Sequence, residues 1–284
     1  MLWLTACDQQ AVDPTPATAP TSAGARMAAA PTRGNNLALG NPSEATVSSS
    51  SPTNYLLSKP QYSGSYDQAK GTANWVSWHL SQAWLGSTTR QNNFRPDASL
   101  PTGWYRVTST DYTGSGFDRG HLCPSGDRTG TDSDNSATFL MTNIVPQAPN
   151  NNQQTWEQLE SYCRSLAKAG NELYIIAGPS DSGGSGSNGG TTYTLASGKV
   201  TVPASVWKVV VVLPVGTNDL RRVSTSTRVI AVRMPNTQSV NAHGWEYYRT
   251  SVDELEGLTG YNFLSLVPAS VQAVIEARVD GQPL

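Results

Sequence analysis

Apolar residues along the chain follow two periods, which predict strands and helices in different places. Alternating segments and short apolar runs rich in β-branched residues are typical of strands. Five segments have this pattern: Trp75–Leu80, Trp104–Val107, Leu173–Ala177, Val206–Leu213 and Val229–Met234. Helices are predicted over Gln153–Lys168, after a capping box at Ser251–Glu254, and over Pro268–Val279. Long strands with few helices predict an α+β fold with a central, mostly antiparallel sheet and flanking helices.

The first 54 residues differ in composition from the rest of the chain. Residues 8–54 contain no aromatic residue and are rich in Pro, Ala, Ser and Thr. Such a segment buries too little apolar surface to offset its ordering entropy, so we predict a disordered linker over residues 8–54 and one domain over residues 55–284. The linker is either a tether or a disordered segment without function.

Residues 1–7 end in Leu4–Cys7, a tetrapeptide that resembles the bacterial lipoprotein box. As part of a signal segment, it predicts lipidation of Cys7, attachment to a membrane and an extracytoplasmic location, which is periplasmic, on the outer surface or secreted. The charged and apolar regions of a full signal peptide are missing from the segment. A chance tetrapeptide at a frayed start is the alternative.

The overall charge and the few histidines and cysteines limit the kinds of site. A net charge of -2 argues against a chain-wide basic coat for nucleic acid or membrane, so phosphate binding has to depend on a few placed arginines. The three histidines and three cysteines lack the spacing of zinc motifs. A metal in this protein is therefore expected to have mostly oxygen ligands, which suits Mg²⁺ or Mn²⁺.

The segment Asp118–His121, with the sequence Asp-Arg-Gly-His, contains the first candidate catalytic residues. A neutral imidazole with a pKa near ~6.5 accepts a proton from water at neutral pH, so His121 is a candidate general base. Arg119 offers a planar donor fork suited to a phosphate. Both residues also have an ordinary structural explanation. The alternative for His121 is a buried structural histidine, and the alternative for Arg119 is one half of a surface ion pair.

The predicted helix over residues 153–168 contributes polar candidates at the edge of its apolar stripe. Glu160 and Arg164 lie there and can point into a cleft, although an i,i+4 pair also stabilises a helix without any other role. Asn152 lies at the start of this helix, where an asparagine is often only an N-cap. The residues alone leave these alternatives open.

Several segments in the same order resemble the DNA/RNA non-specific endonuclease family. The segments are Gly71–Val76, Arg90–Asp97, Tyr112–His121, Ala137–Asn143, Asn143–Gln147 and Val252–Tyr261. They cover nearly all of the predicted domain and none of the linker, and the likeness is greatest to the cyanobacterial sugar-non-specific members. The resemblance implies the ββα-metal, or His-Me finger, fold of the endonuclease G and Serratia nuclease type.

The resemblance also implies the metal and the base of a hydrolytic reaction on DNA and RNA, single and double stranded. By this resemblance, His121 is the general base and Asn152 is the direct protein ligand of one Mg²⁺ or Mn²⁺. Glu160 holds the metal through water. The implied products carry 5′-phosphate and 3′-hydroxyl ends.

The remaining roles implied by the resemblance concern phosphate contacts and support of the histidine. Arg90 and Arg119 match arginines that contact the phosphate, and Arg164 matches an arginine near the scissile group. Asn143 matches an asparagine that supports the region of the histidine. Asp118 matches the acidic residue of the motif, which we interpret as a supporting residue.

Cys123 follows the histidine motif, and Cys163 lies on the buried face of the predicted helix. They form either a disulfide next to the site or two separate buried thiols, and the second interpretation is preferred because spacing cannot determine connectivity. His79 and His243 are interpreted as structural or surface residues.

Three alternatives to a nuclease are considered: a catalytically inactive nucleic-acid-binding relative, a phosphodiesterase or phosphatase on the same fold, and a toxin delivered to competitors. The simultaneous presence of His121, Asn152, Glu160 and Arg119 argues against the inactive relative. The toxin would need delivery domains or an immunity protein, and the sequence indicates neither. Protein partners stay unknown.

Overall fold

A computed structural model describes Met1 and residues 29–283. Its strands, in chain order, are β1 (Tyr55–Ser58), β2 (Ser63–Asp67), β3 (Thr72–Leu80), β4 (Asp118–His121), β5 (Ile144–Gln147), β6 (Asn171–Ser180), β7 (Thr194–Leu195), β8 (Val200–Thr201), β9 (Ser205–Pro214), β10 (Arg228–Pro235) and β11 (Arg249–Thr250). Its α-helices are α1 (Asp132–Ala137), α2 (Trp156–Lys168), α3 (Asp219–Arg222), α4 (Val252–Thr259) and α5 (Ala269–Ile275).

A seven-stranded antiparallel sheet forms the centre of the molecule, in the order β1-β2-β3-β6-β9-β10-β11. Four of the five predicted strands lie in it, which confirms the α+β class. Because side chains alternate across a strand, β6 presents Leu173 and Ile175 to one face and Tyr174 and Ile176 to the other. The sheet therefore has a separate hydrophobic core on each face.

The two faces are covered by different elements. Helix α2 packs on the first face through Trp156, Leu159 and Cys163, as its apolar stripe predicts. The hairpin of β4 and β5 lies beside α2 and pairs His121 with Ile144. Helices α4 and α5 cover the opposite face, where Leu255 and Ile275 are buried. Ser251 caps α4 by accepting the backbone N–H of Glu254, which confirms the predicted helix start. The reciprocal bond of a capping box is replaced, because the Glu254 carboxylate accepts from the Thr250 hydroxyl.

The predicted linker extends too far towards the domain. Asn36, Leu39 and Ala45 are buried, and Leu39 and Ala45 belong to the core that α4 and α5 cover. The Asn36 backbone carbonyl accepts a hydrogen bond from Ser77, and its side-chain oxygen accepts the backbone N–H of His79. The boundary at residue 55 is therefore wrong, because side-chain and backbone hydrogen bonds to β3 order a segment that lacks aromatic residues.

The predicted strand Trp104–Val107 is also wrong. Its backbone pairs with no strand among residues 29–283, and a turn joins the Trp104 N–H to the Pro101 carbonyl. The apolar side chains are used differently: Trp104 contacts the ring of Tyr55 and Val107 is buried in a smaller core. Alternation here reflects packing of an extended loop and not pairing in a sheet.

The predicted lipobox and residues 8–28 of the predicted linker lie outside the described part of the chain. Within the described part, no helix combines the length and apolar character needed to cross a bilayer.

Candidate active site

Strand β4 places His121 at the wall of a cleft. Its side chain is 7% exposed, and its ring lies 4.9 Å from the ring of Phe139 and 5.4 Å from that of Phe94. Among the described residues, its Nε2 atom is enclosed and has no hydrogen-bond partner. The ring is therefore held by packing against aromatic rings, and no acidic side chain in the described part of the chain fixes its proton.

Burial, followed by the positive charges of Arg90 and Arg119, lowers the pKa of His121 from 6.5 to about 3. The sequence alone predicts an ordinary value near 6.5. Because both burial and like charge disfavour the protonated form, the imidazole is neutral at neutral pH and is available to accept a proton.

Asn143 supports the chain that follows His121. It accepts the backbone N–H of Cys123 at 2.9 Å and donates to the carbonyls of Cys123 and Thr138 at 2.8 and 2.9 Å. The Leu122 N–H donates to the Asn143 carbonyl in addition. Asn143 is fully buried and does not line the cleft, so these are the contacts of a positioning residue.

Asn152 lies in a π-helical turn, Asn151–Thr155, that continues into α2. Its backbone N–H is already bonded to the Ala148 carbonyl, and the turn has no side-chain cap, so the N-cap alternative is wrong. The side-chain amide donates to Asp118 Oδ2 at 2.8 Å, and Gln153 donates to the same oxygen at 2.7 Å. Asp118 therefore orients the Asn152 amide and leaves the Oδ1 atom without a hydrogen bond from any described residue.

Glu160 enters the cleft from α2 between two cationic side chains. Its carboxylate lies 3.9 Å from Lys208 Nζ and 4.0 Å from Arg164 Nη1. Burial raises the pKa of Glu160 to about 7, and the two cations only partly oppose that effect. Arg164 is bound more closely to Asp127, at 3.2 Å, so the i,i+4 pair is the weaker of its contacts.

Arg90 and Arg119 approach the same cleft from its other side. Arg90 donates to Ser125 Oγ at 2.6 Å and lies 4.8 Å from the centre of the Phe139 ring. Arg119 lies 4.4 Å from the centre of the Phe94 ring. Stacking on aromatic rings holds both guanidinium groups without neutralising them, which leaves their donors available for an anion.

The cleft has a volume of about 290 Å³ and brings together six of the seven predicted site residues: Arg90, Arg119, His121, Asn152, Glu160 and Arg164. Asn143 lies behind it. Three arginines and two carboxylates, Glu157 and Glu160, line the cleft, so its lining has more cationic than acidic side chains although the chain carries a net charge of -2. This local charge is suited to a phosphate.

Lys208 and Asp127 are contacts of the site that the sequence analysis missed. Lys208 is 1% exposed, and its ammonium lies 4.0 Å from the centre of the Trp156 ring. Asp127 accepts hydrogen bonds from Arg164 and from Trp78 Nε1 at 3.2 and 2.9 Å. A lysine within the apolar run of β9 is a signal of a buried ion pair, since an unpaired buried charge is costly.

The two cysteines near the site are separate thiols. Cys123 and Cys163 are free and buried, and burial raises the pKa of each to about 12. The preferred interpretation, two unlinked thiols, is confirmed. Of the other two histidines, His79 is buried and His243 is exposed and stacked on Tyr247, as predicted.

The donors in the cleft suit a hard divalent cation. Asn152 and Glu160 offer neutral and anionic oxygen atoms, and neither a cysteine nor a second histidine lines the cleft in the described part of the chain. Oxygen donors of this kind are preferred by Mg²⁺ and Mn²⁺ over Zn²⁺. The unengaged Oδ1 atom of Asn152 therefore fits the ligand role that the resemblance implies.

Comparison with known proteins identifies the family. The family model described as DNA/RNA non-specific endonuclease matches residues 39–270. The chain is 54% identical over 246 residues to a nuclease of Nostoc sp., covering 87% of this chain and 86% of that protein. It is 31% identical over 207 residues to the human mitochondrial nuclease EXOG, covering 70% of this chain and 54% of that protein.

A solved structure of an EndoG/EndoGI complex has the same fold. Its TM-score is 0.68 at 24% identity, with 84% of this chain and 94% of that chain covered. The match confirms the expected ββα-metal nuclease fold. By the extent of the family match and the identity to the Nostoc protein, this chain belongs to the DNA/RNA non-specific endonuclease family, a family of metal-dependent nucleases.

Proposed function

We propose that this nuclease hydrolyses phosphodiester bonds in both DNA and RNA, without sequence specificity, and leaves 5′-phosphate and 3′-hydroxyl ends. The observation that carries the proposal is the convergence of a neutral histidine, three arginines and two oxygen donors on one cleft. Any one of these residues has an ordinary structural explanation. Their convergence from strand β4, helix α2 and the loop of Arg90 has no such explanation.

His121 acts as the general base in this proposal. With its pKa lowered to about 3, the imidazole is unprotonated before substrate arrives and can accept a proton from the attacking water. The negative charge of a bound phosphate favours the protonated imidazole, so the same phosphate raises the basicity of His121 at the moment of reaction.

The three arginines position the phosphate and neutralise its charge. Arg90, Arg119 and Arg164 surround the cleft and place donor forks around the developing charge on the phosphoryl oxygens. Contacts to phosphate carry no direct information about base sequence, which supports activity without sequence preference. Binding through a few arginines also predicts affinity that falls as salt increases.

Asn152 and Glu160 would hold Mg²⁺ or Mn²⁺, Glu160 through water. A divalent cation bound there neutralises phosphoryl charge and stabilises the departing 3′ oxygen. Asp118 keeps the Asn152 amide oriented, and Lys208 with Arg164 favours the ionised form of Glu160. With one neutral amide as the direct protein ligand, the cation is expected to be weakly held and exchangeable.

The test is degradation of plasmid DNA and of RNA by the full chain with Mg²⁺, with Mn²⁺ and with EDTA. We expect both activities to be lost in EDTA and in His121→Ala. The matched control is His243→Ala, which removes an exposed histidine outside the cleft and should cleave like the wild type. Full activity of His121→Ala would exclude the base role, and the absence of cleavage with any metal would favour a nucleic-acid-binding relative without activity.

We further propose that the protein acts outside the cytoplasm and is attached to a membrane through Cys7. The support is the sequence of residues 4–7 alone. Metabolic labelling with a fatty acid tests the attachment, since Cys7→Ala should lose the label while Cys123, a buried thiol, cannot replace it.

A further inference from the structure

A group of three carboxylates lies on the sheet face opposite the active-site cleft. Asp253 and Glu256 belong to α4, and Glu276 follows the last residue of α5. One carboxylate oxygen from each residue lies within 4.8 Å of the others. Helices α4 and α5 pack on the core that contains Trp207 and Ile176, whereas α2 packs on the other face, so this group is separate from the nuclease site.

The Glu276 carboxylate lacks the partners that a buried charge requires. Glu276 is 4% exposed, and its Oε1 atom has no hydrogen-bond partner in the described part of the chain. None of the three carboxylates forms an ion pair among the residues the structure describes. Burial, followed by the charges of Glu256 and Asp253, raises the pKa of Glu276 to about 7. A buried carboxylate without a counter-charge is costly, so the arrangement needs a proton or a cation.

A second acidic group in the molecule shows the contrast. His79, Glu172 and Asp219 also lie close enough to share an ion, but Arg222 forms ion pairs with both carboxylates, and His79 Nε2 lies 3.2 Å from Glu172. Arg222 therefore supplies that group with a counter-charge from the protein. The group on α4 and α5 has acidic members only.

We propose that Asp253, Glu256 and Glu276 bind Ca²⁺, which connects α4 to the end of α5. Ca²⁺ binds oxygen atoms at ~2.3–2.6 Å, so two ligands on opposite sides of one ion lie about 4.6–5.2 Å apart. One oxygen from each carboxylate lies within 4.8 Å of the others, so the three oxygens are close enough to share one ion. Three carboxylates leave room for water and backbone carbonyls, which completes the six to eight ligands that Ca²⁺ takes.

The expected consequence is cation-dependent stability of the C-terminal part of the chain. Helix α5 has seven residues, and its end is joined to α4 by one backbone hydrogen bond, from the Asp253 N–H to the Glu276 carbonyl. A cation that binds the folded chain and not the unfolded one stabilises it by mass action. At a Ca²⁺ concentration about 100-fold above Kd, the Tm should rise by about 5 °C or more.

The test measures the Tm of the full chain in EDTA and in CaCl2, for the wild type, Asp253→Asn and Glu256→Gln. In EDTA, both variants should match or exceed the wild type, because each removes one of three repelling charges. In CaCl2, the order should reverse, because only the wild type gains a bound ion. Glu256→Gln keeps the oxygen that accepts the Phe263 N–H at 2.9 Å, and Asp253 is exposed, so both variants should fold.

Two controls connect the effect to this site. Glu254→Gln removes a carboxylate of the same helix that lies outside the group, and it should respond to Ca²⁺ like the wild type. Asn152→Ala weakens the active-site cation and should also keep the full response. The proposal is overturned if the wild-type Tm is the same in EDTA and CaCl2, if Asp253→Asn and Glu256→Gln respond as the wild type does, or if Asn152→Ala loses the response.

Discussion

Lys208 favours the ionised form of Glu160, and Lys208→Met tests that relation. The ammonium lies 3.9 Å from the Glu160 carboxylate, and both side chains are largely enclosed. Two unit charges at ~4 Å interact by about 4 kcal/mol at an effective dielectric constant of about 20, which corresponds to about 3 pKa units. Arg164 stays near Glu160 in the variant and local rearrangement absorbs part of the change, so we expect the pKa to rise by about 1–2 units. Methionine fills the space against Trp156 without a charge.

The assay is the dependence of kcat/KM on pH for plasmid cleavage at a fixed Mg²⁺ concentration. The wild-type pKa of Glu160 is about 7, and only the ionised carboxylate attracts a cation. Removing the ammonium therefore shifts the acidic limb of the profile upward, lowers activity about tenfold at neutral pH, and leaves it nearly intact about two pH units higher.

Two variants separate this electrostatic effect from a general loss of structure. Lys208→Arg keeps the charge and should restore most of the wild-type profile. Lys199→Met removes a lysine outside the cleft and should leave the profile unchanged. A folded Lys208→Met protein whose acidic limb coincides with that of the wild type would refute the reasoning, because it would show that Lys208 does not influence the ionisation of the site.

Three further predictions concern the histidine strand and its support. Because the pKa of His121 is lowered to about 3, the imidazole stays neutral as the pH falls from 8 to 5. Its NMR signals in the free protein should therefore not titrate over that range. A titration midpoint near 6.5 would contradict the effect of burial and of the nearby arginines on the pKa. Gly120→Ala places a Cβ 2.2 Å from Gln147 Oε1 and 2.7 Å from Gln147 Cβ. We therefore expect the variant to lose about 1–3 kcal/mol of unfolding free energy, measured by urea denaturation. An unchanged value would show that the hairpin tolerates the contact. Asn143→Ala leaves the N–H and carbonyl of Cys123 without their partner, so the variant should lose about 2–4 kcal/mol of unfolding free energy and also show a lower kcat. Normal kcat in that variant would limit Asn143 to a stabilising role.

Most of the sheet could be predicted from local pattern. The run of β-branched residues over Val206–Leu213 and the run over Val229–Met234 are apolar enough to be buried strands in any arrangement, and both pair in the central sheet. The stripe of Trp156, Leu159 and Cys163 likewise predicts which side of α2 is buried. Each of these features depends on residues that are close together in the sequence, so the sequence alone is enough to predict it.

Local pattern failed where a segment is ordered by distant partners. The chain around Asn36 has the composition of a linker, yet hydrogen bonds to β3 order it. Trp104–Val107 alternates as a strand does, but it pairs with no strand in the part of the chain that the structure describes. Hydrogen bonding between strands, and ordering by contacts distant in sequence, are properties of the assembled fold.

The sequence by itself determined the family, four strands of the central sheet and six of the residues that line the cleft, because motifs and periodicity are local. Only the tertiary structure decided their chemical state. It placed His121 among aromatic rings and near two arginines, and this environment lowers the pKa of His121. It also placed Lys208 next to the buried Glu160, whose pKa is about 7. Burial and charge act through space and fall off with distance in three dimensions, so they follow from the packing of segments that are far apart along the chain.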